Sequence, residues 1–151
     1  MSKILVTGAN GFLGRALSAE LIHQGFEVLC ATRSRFELKG AKTITIASME
    51  QQEDWNECLS GVDCVIHTAA RVHILKDTAQ EPYEEFRKIN VTGTLNLAVQ
   101  AAQAGVRRFI FISSIGVNGN HNTIPFLESD RPNPQGPYAL SKVEAEQKLV
   151  G

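Results

Sequence analysis

The chain has 151 residues, 43% of them hydrophobic, and a formal net charge of -1; this is enough apolar material for one buried core and leaves no basic footprint for nucleic acid or anionic lipid. No run approaches the roughly 20 apolar residues that cross a bilayer, and the apolar stretch in MSKILVTG is too short for a signal peptide. A cytoplasmic location is expected, with no membrane and no nucleic-acid partner.

Short β-rich runs alternate with helix-period stretches along the chain. KILVT, Lys3 to Thr7, has the pattern of a buried strand, and Phe12 to Gln24 then places Leu13, Ala16, Leu17 and Leu21 on one helical face, closed by Gly25. Glu27 to Thr32 and Lys42 to Ala47 read as the second and third strands. Gln51 to Leu59 reads as a short helix with Trp55 and Leu59 inward. Cys30, Cys58 and Cys64 are odd in number and show no paired ligand spacing, so reduced, buried thiols are expected rather than a disulfide framework or a metal site. Asp63 to Thr68 returns to a strand. Tyr83 to Ala104 forms one long helix through Phe86, Ile89, Gly93, Leu97, Ala101 and Ala104, and Arg108 to Ser113 is the fifth strand. Strands apolar on both faces and separated by helices specify a parallel sheet covered on both sides, the Rossmann-type doubly wound α/β fold. From Asn118 to Pro137 the composition shifts to Asn, Gly and Pro, a loop, and Tyr138 opens a last helix. Residues 1 to 151 are thus expected to be one domain, truncated before further strands.

TGANGFLG, residues 7 to 14, sits between the first strand and the first helix. Glycine there allows a tight turn, close approach of main chain to a pyrophosphate, and close packing of helix on strand. The helix N-terminus adds unpaired N–H groups and a positive dipole end. Gly8, Asn10, Gly11, Phe12, Leu13 and Gly14 are therefore candidate dinucleotide contacts. Their spacing of three and three departs from G-x-G-x-x-G, and tight turns also collect glycine, so the loop by itself leaves both readings open.

With DCVIHTAA (63 to 70), NVTGTLNL (90 to 97), FISSIGVNG (111 to 119) and PYALSK (137 to 142) added, the whole chain resembles the extended short-chain dehydrogenase/reductase family, in its nucleotide-sugar epimerase/dehydratase branch. That resemblance implies an NAD(P)-binding domain carrying the catalytic helix, with most of the substrate-binding part beyond residue 151. It implies no metal, and a homodimer formed through the long helix and the last one.

At the end of the second strand, where NAD-preferring domains carry an acid, the chain has Thr32 followed by Arg33, Ser34 and Arg35. A guanidinium suits a 2'-phosphate by charge and by its fork of donors, and the resemblance places Arg33 at the phosphate-binding arginine. NADP is favoured over NAD; the alternative is that both arginines are solvated loop charges. Ala69 and Ala70 make room for cofactor, and His67 beside them packs rather than catalyses.

Tyr138 and Lys142 lie four apart on one helical face. A phenol is a weak base at neutral pH, but a neighbouring ammonium favours its ionised form, so Tyr138 can exchange a proton with a substrate hydroxyl. The resemblance implies that Lys142 also holds the nicotinamide ribose, that Ser114 rather than Ser113 hydrogen-bonds the reacting oxygen, and that Asn90 organises the cofactor site. Ile115 and Gly116 occupy the places where sugar 4,6-dehydratases carry an Asp-Glu pair, which disfavours dehydration. Asn118 replaces the tyrosine of the family's V-Y-G. The arrangement looks most like UDP-hexose and UDP-hexosamine 4-epimerases and 4-reductases, enzymes of polysaccharide biosynthesis, acting at C4 of a nucleotide-sugar substrate. The alternatives are an NADPH-dependent ketone or hydroxysteroid reductase, and a sensor that binds NAD(P) without chemistry.

Overall fold

The computed structural model describes residues 2–72 and 82–150. Strands β1 Lys3–Thr7, β2 Glu27–Thr32, β3 Ala41–Thr45, β4 Cys64–His67 and β5 Arg108–Phe111 form one parallel sheet in the order β3-β2-β1-β4-β5. Leu5 lies between Leu29 and Val65, and Val6 between Cys30 and Ile66. Because side chains alternate along a strand, these two rows feed two cores. Leu5, Leu29 and Val65 meet Trp55, Leu59, Leu97 and Ala101 on one face. Ile4, Val6, Val28 and Ile66 meet Leu17, Leu21 and Ile22 on the other. Each fully buried aliphatic side chain contributes about 1.5–3 kcal/mol, and two covered faces explain why β1 and β2 are apolar almost throughout. The expected doubly wound architecture is present.

The helices are α1 Phe12–His23, α2 Asn56–Leu59, α3 Pro82–Arg87, α4 Thr94–Gln103 and α5 Gly136–Val150. Three expectations need correction. In α1 the buried residues are Gly14 and Ser18, while Leu13 and Ala16 are exposed. A Cβ on Gly14 would stand 2.3 Å from the carbonyl oxygen of Gly8, so the helix seats its smallest residues against the preceding loop, and hydrophobic periodicity misplaces that face. The helix expected from Gln51 begins only at Asn56, because Gln52 accepts a bond from the Ala47 amide and Asp54 Oδ1 one from the Asn56 amide, holding the intervening chain in turns. The long helix is not uniform: between α3 and α4 lies a π-helical turn, Lys88–Gly93, and Ala104 at its far end is exposed. A Cβ on Gly93 would meet the Met49 carbonyl oxygen at 2.7 Å, so this wide turn is pressed onto the segment that follows β3. The cysteines are free, Cys30 and Cys58 buried and Cys64 half-buried.

The chain runs outward from β1 to β3, then returns to β4 on the other side of β1. The crevice at the carboxyl ends of β1 and β4 is the switch point at which such sheets bind ligands.

Candidate active site

Gly8 follows β1 with φ +67, in the left-handed region, and a Cβ there would meet the Cα of Ala69 at 2.8 Å. Its position is therefore closed to other residues twice over, by conformation and by contact. The Gly11 amide donates to the Gly8 carbonyl at 2.9 Å, and the Gly8 amide to Ala31 at 3.1 Å, which folds the loop back on the sheet. Gly11 then caps α1 without a side-chain hydrogen bond. The first amides of α1 have no intrahelical partner and stand at the positive end of the helix dipole.

A cleft of about 540 Å³ opens from this loop. Gly8, Asn10, Gly11, Phe12, Leu13, Gly14, Arg33, Ala69 and Ala70, all candidates from the sequence, line it. Among them Phe12 is fully exposed. The volume of the cleft lies within the range of small-molecule and cofactor sites, and the bare backbone of the glycine loop, with the small Ala69 and Ala70 beside it, fits a dinucleotide. Ala31, Thr32, Ile46, Met49, Glu50, Thr68, Arg71, Val72 and Ile89 complete the walls; of these, Ile46, Met49, Glu50, Arg71, Val72 and Ile89 lie outside the strand ends beside the candidates, and none of them is a candidate from sequence pattern. All but Ile89 follow the carboxyl ends of β3 and β4, where the switch-point rule points to them; Ile89 falls on the core face of the expected long helix.

Arg33 is exposed on the cleft wall and forms no ion pair with any described residue. Its neighbour Arg35 is engaged by Glu37, with Nε 3.0 Å from Oε1. The turn between them is held by Thr32, whose hydroxyl donates to the Ser34 carbonyl at 2.7 Å.

Lys142 is 2% exposed. Its Nζ donates to the Ile112 carbonyl at 2.7 Å and stands 3.9 Å from the centroid of the Phe111 ring. Burial pushes its pKa down to about 8, partly opposed by Glu146. Ser114 lies two residues after Ile112; its Oγ accepts from the Gly116 amide at 3.2 Å and caps a short 3-10 turn, Ile115–Val117. Gly116 faces Ala139 of α5, which a Cβ at 116 would meet at 3.8 Å. Ser113, by contrast, has a buried hydroxyl with no hydrogen-bond partner among the described residues. The Tyr138 ring stands edge-on to Phe86, centroids 6.2 Å apart. Ser114, Tyr138 and Lys142 thus come from adjacent segments, the end of β5 and the first turns of α5. None of the three lines the cleft, which stops at Arg71, Val72 and Ile89.

Asn90, in the π-helical turn, does not line it either. It is 1% exposed, accepts from the Arg71 amide at 2.8 Å, and donates to the Arg71 carbonyl and to Ser141 Oγ, both at 3.0 Å. The geometry of Asn90 is that of a brace between cleft rim and helix, with its amide fully engaged by protein.

His67 is 1% exposed, with Nδ1 2.6 Å from Thr7 Oγ1 and Nε2 2.9 Å from Thr94 Oγ1. Burial first, and the charge of Lys142 second, push its pKa down to about 3. A neutral imidazole between two hydroxyls is a structural element, as its sequence context suggests. Among the described residues no group of three or more His, Cys, Asp or Glu side chains is placed to hold a metal ion, and no helix is long and apolar enough to cross a membrane.

Gly14→Ala tests the packing of the loop on α1. The added methyl must displace backbone, at a cost of about 2 kcal/mol or more, which corresponds to a melting temperature lower by about 5 °C in a domain of this size. Thermal melting followed by circular dichroism measures it.

Known proteins are similar to this chain in sequence and fold. The model of the NAD dependent epimerase/dehydratase family matches residues 4–150. A UDP-glucose 4-epimerase from Vibrio cholerae is 39% identical over 150 residues, covering 97% of this chain and 46% of that protein. A decarboxylating sterol-4-alpha-carboxylate 3-dehydrogenase from Dictyostelium discoideum is 34% identical, covering 99% of this chain and 48% of its own length. The solved structure of MoeE5 in complex with UDP-glucose and NAD superimposes with a TM-score of 0.86 at 30% identity, covering 99% of this chain and 48% of that one. The chain spans just under half the length of each of these relatives.

Proposed function

Because the chain belongs to the NAD dependent epimerase/dehydratase family, we propose that it is the cofactor-binding and proton-transfer half of an enzyme acting at C4 of a UDP-sugar, as an epimerase or reductase of the UDP-glucose 4-epimerase type. The observation that carries this reading is the junction of a bare glycine cleft with the helix bearing Tyr138 and Lys142, across the Asn90 brace.

When bound, the nicotinamide supplies the acceptor and donor of hydride for C4. Gly8, Asn10, Gly11, Phe12, Leu13, Gly14, Ala69 and Ala70 hold the dinucleotide in the cleft. Tyr138 takes the proton from the C4 hydroxyl and returns it, Ser114 hydrogen-bonds that oxygen, and Lys142 supplies positive charge beside them. Ile115 and Gly116 offer no carboxyl groups for a second proton transfer, so dehydration is not part of the proposal. Most sugar contacts would come from sequence beyond residue 151, and two copies would pair through α4 and α5 in the cytoplasm.

The assay that tests the reading supplies UDP-glucose, UDP-galactose and their N-acetyl forms to the purified full-length protein, with the sugar-binding sequence beyond residue 151 in place. An epimerase interconverts a pair without consuming cofactor. A reductase oxidises NAD(P)H stoichiometrically on a 4-keto nucleotide sugar. Turnover only on sterols, the substrate class named for the Dictyostelium relative, or on simple ketones would replace the sugar with an apolar substrate. Tight cofactor binding with no turnover on any of them would leave a sensor.

The exposed guanidinium of Arg33 on the cleft wall supports NADP(H) over NAD(H), because its charge and its fork of donors suit a 2'-phosphate. Arg33→Ala is expected to weaken NADPH binding about tenfold or more while NADH binding stays within about twofold. Parallel fluorescence titrations of the two nucleotides measure this, and an unchanged ratio removes Arg33 as the source of a preference for NADP(H).

A further inference from the structure

One residue of the catalytic helix has no place in the chemistry yet makes the best-enclosed polar contacts there. Ser141 is 0% exposed. Its Oγ donates to the Tyr138 carbonyl at 2.7 Å and accepts from Asn90 Nδ2 at 3.0 Å. Asn90 in turn holds both the amide and the carbonyl of Arg71, a residue of the cleft rim. The turn that carries Asn90 is the π-helical one, and its other members reach two more parts of the cleft. Ile89 lines it directly, and Gly93 rests on the backbone of Met49 in the wall beyond β3. An α-helix inserts one residue fewer in such a turn, and wide turns of this kind concentrate at functional sites.

We propose that Ser141 is a positioning residue, the link through which Asn90 and the π-helical turn couple occupation of the cleft to the ordering of the first turns of α5, where Tyr138 and Lys142 reside. The inference rests on the reading that the cleft holds a nicotinamide dinucleotide. A cleft ligand stiffens the Arg71 backbone and the walls at Ile89 and Met49. Asn90 is hydrogen-bonded to that backbone on one side and to Ser141 on the other, so its amide is fixed with them. Ser141 then holds the Tyr138 carbonyl, and with it the orientation of the turn. The bond between Asn90 and Ser141 is buried, so water does not compete for it. By reciprocity, a link that orders the turn when nucleotide binds must strengthen nucleotide binding when the turn is ordered.

The test follows amide hydrogen exchange over residues 138–142 of the full protein, with and without saturating NADPH or NADH, beside nucleotide dissociation constants and steady-state kinetics. In the wild type, nucleotide is expected to slow exchange in this stretch by about tenfold. In Ser141→Ala that slowing disappears and nucleotide affinity weakens about threefold. The kcat falls about tenfold, the kinetic equivalent of one net hydrogen bond, while the KM for sugar stays within about twofold. Asn90→Ala costs less on top of Ser141→Ala than it does alone, because the two share one link. Wild type that binds nucleotide without slowing exchange at 138–142 overturns the inference and leaves the proposed function standing. So does a Ser141→Ala variant that keeps both the slowing and the turnover. Wild type that binds neither nucleotide overturns the proposed function and this inference with it. Should Ser141→Ala fail to fold, the wild-type exchange measurement decides alone.

Discussion

Lys142→Met is expected to abolish turnover and, at pH 7, to raise the melting temperature. An ammonium 2% exposed has lost nearly all its water, and burial has pushed its pKa from 10.5 to about 8. The folded value lies below the unfolded one, so between about pH 8 and 10.5 the unfolded chain holds a proton that the folded chain has released. Stability therefore rises with pH across that window, and below it the whole cost of burying the charge applies, about 3 kcal/mol. Methionine fills a similar volume without the charge. It forfeits the bond to Ile112 and the contact with the Phe111 ring, which returns part of the gain. A net stabilisation of about 1–2 kcal/mol is the expectation at pH 7, or about 2–8 °C in melting temperature. Calorimetry of both forms at pH 7 and pH 10 measures it, and the difference narrows at the higher pH. A variant that melts lower than wild type at pH 7 would show that the protein compensates the charge fully.

Tyr138→Phe is expected to reduce kcat by about 10²- to 10⁴-fold, the range that a positioned proton donor and acceptor commands. Nucleotide affinity should stay within about threefold. The phenyl ring keeps its edge-on contact with Phe86, so the loss would be chemical rather than architectural. Steady-state kinetics on the nucleotide-sugar pair, with the dissociation constant measured separately, distinguishes the two. Undiminished kcat removes Tyr138 from the mechanism and shifts attention to another hydroxyl near Ser114.

That Tyr138 and Lys142 share one helix near the end of β5 is legible in the sequence, because a spacing of four is a local pattern. The position of the glycine loop, Arg33, Ala69 and Ala70 on the cleft is legible for the same reason, since each follows a strand that is itself recognisable by its apolar pattern. The limits of β1 and β2 coincide with their apolar runs because both faces are covered. The buried face of α1 escapes hydrophobic periodicity because glycine and serine carry no apolar signal, although Gly14 is what allows the helix to settle on the loop. Nor does the π-helical turn announce itself. Phe86, Ile89, Gly93 and Leu97 satisfy an ordinary helical period, and the extra residue shows only in which side chains end up enclosed, Asn90 and Val91 among them. Met49, Arg71 and Ile89 reach the cleft through the order of the strands, which no local pattern contains. Ser141, small and polar in mid-helix, reads as surface until its neighbours are known.

The row Thr7, His67, Thr94 has a further property. A neutral imidazole carries a single N–H, so at one ring nitrogen it gives a proton and at the other it must receive one. One threonine is then the giver and the other the taker, and exchanging the tautomer exchanges both roles. The row crosses from the strand that ends in the glycine loop, through the middle of the sheet, to the start of α4. The interior of this domain therefore contains a short polar arrow, able to point toward the loop or toward the helix, whose heading is set by the hydroxyls at its two ends.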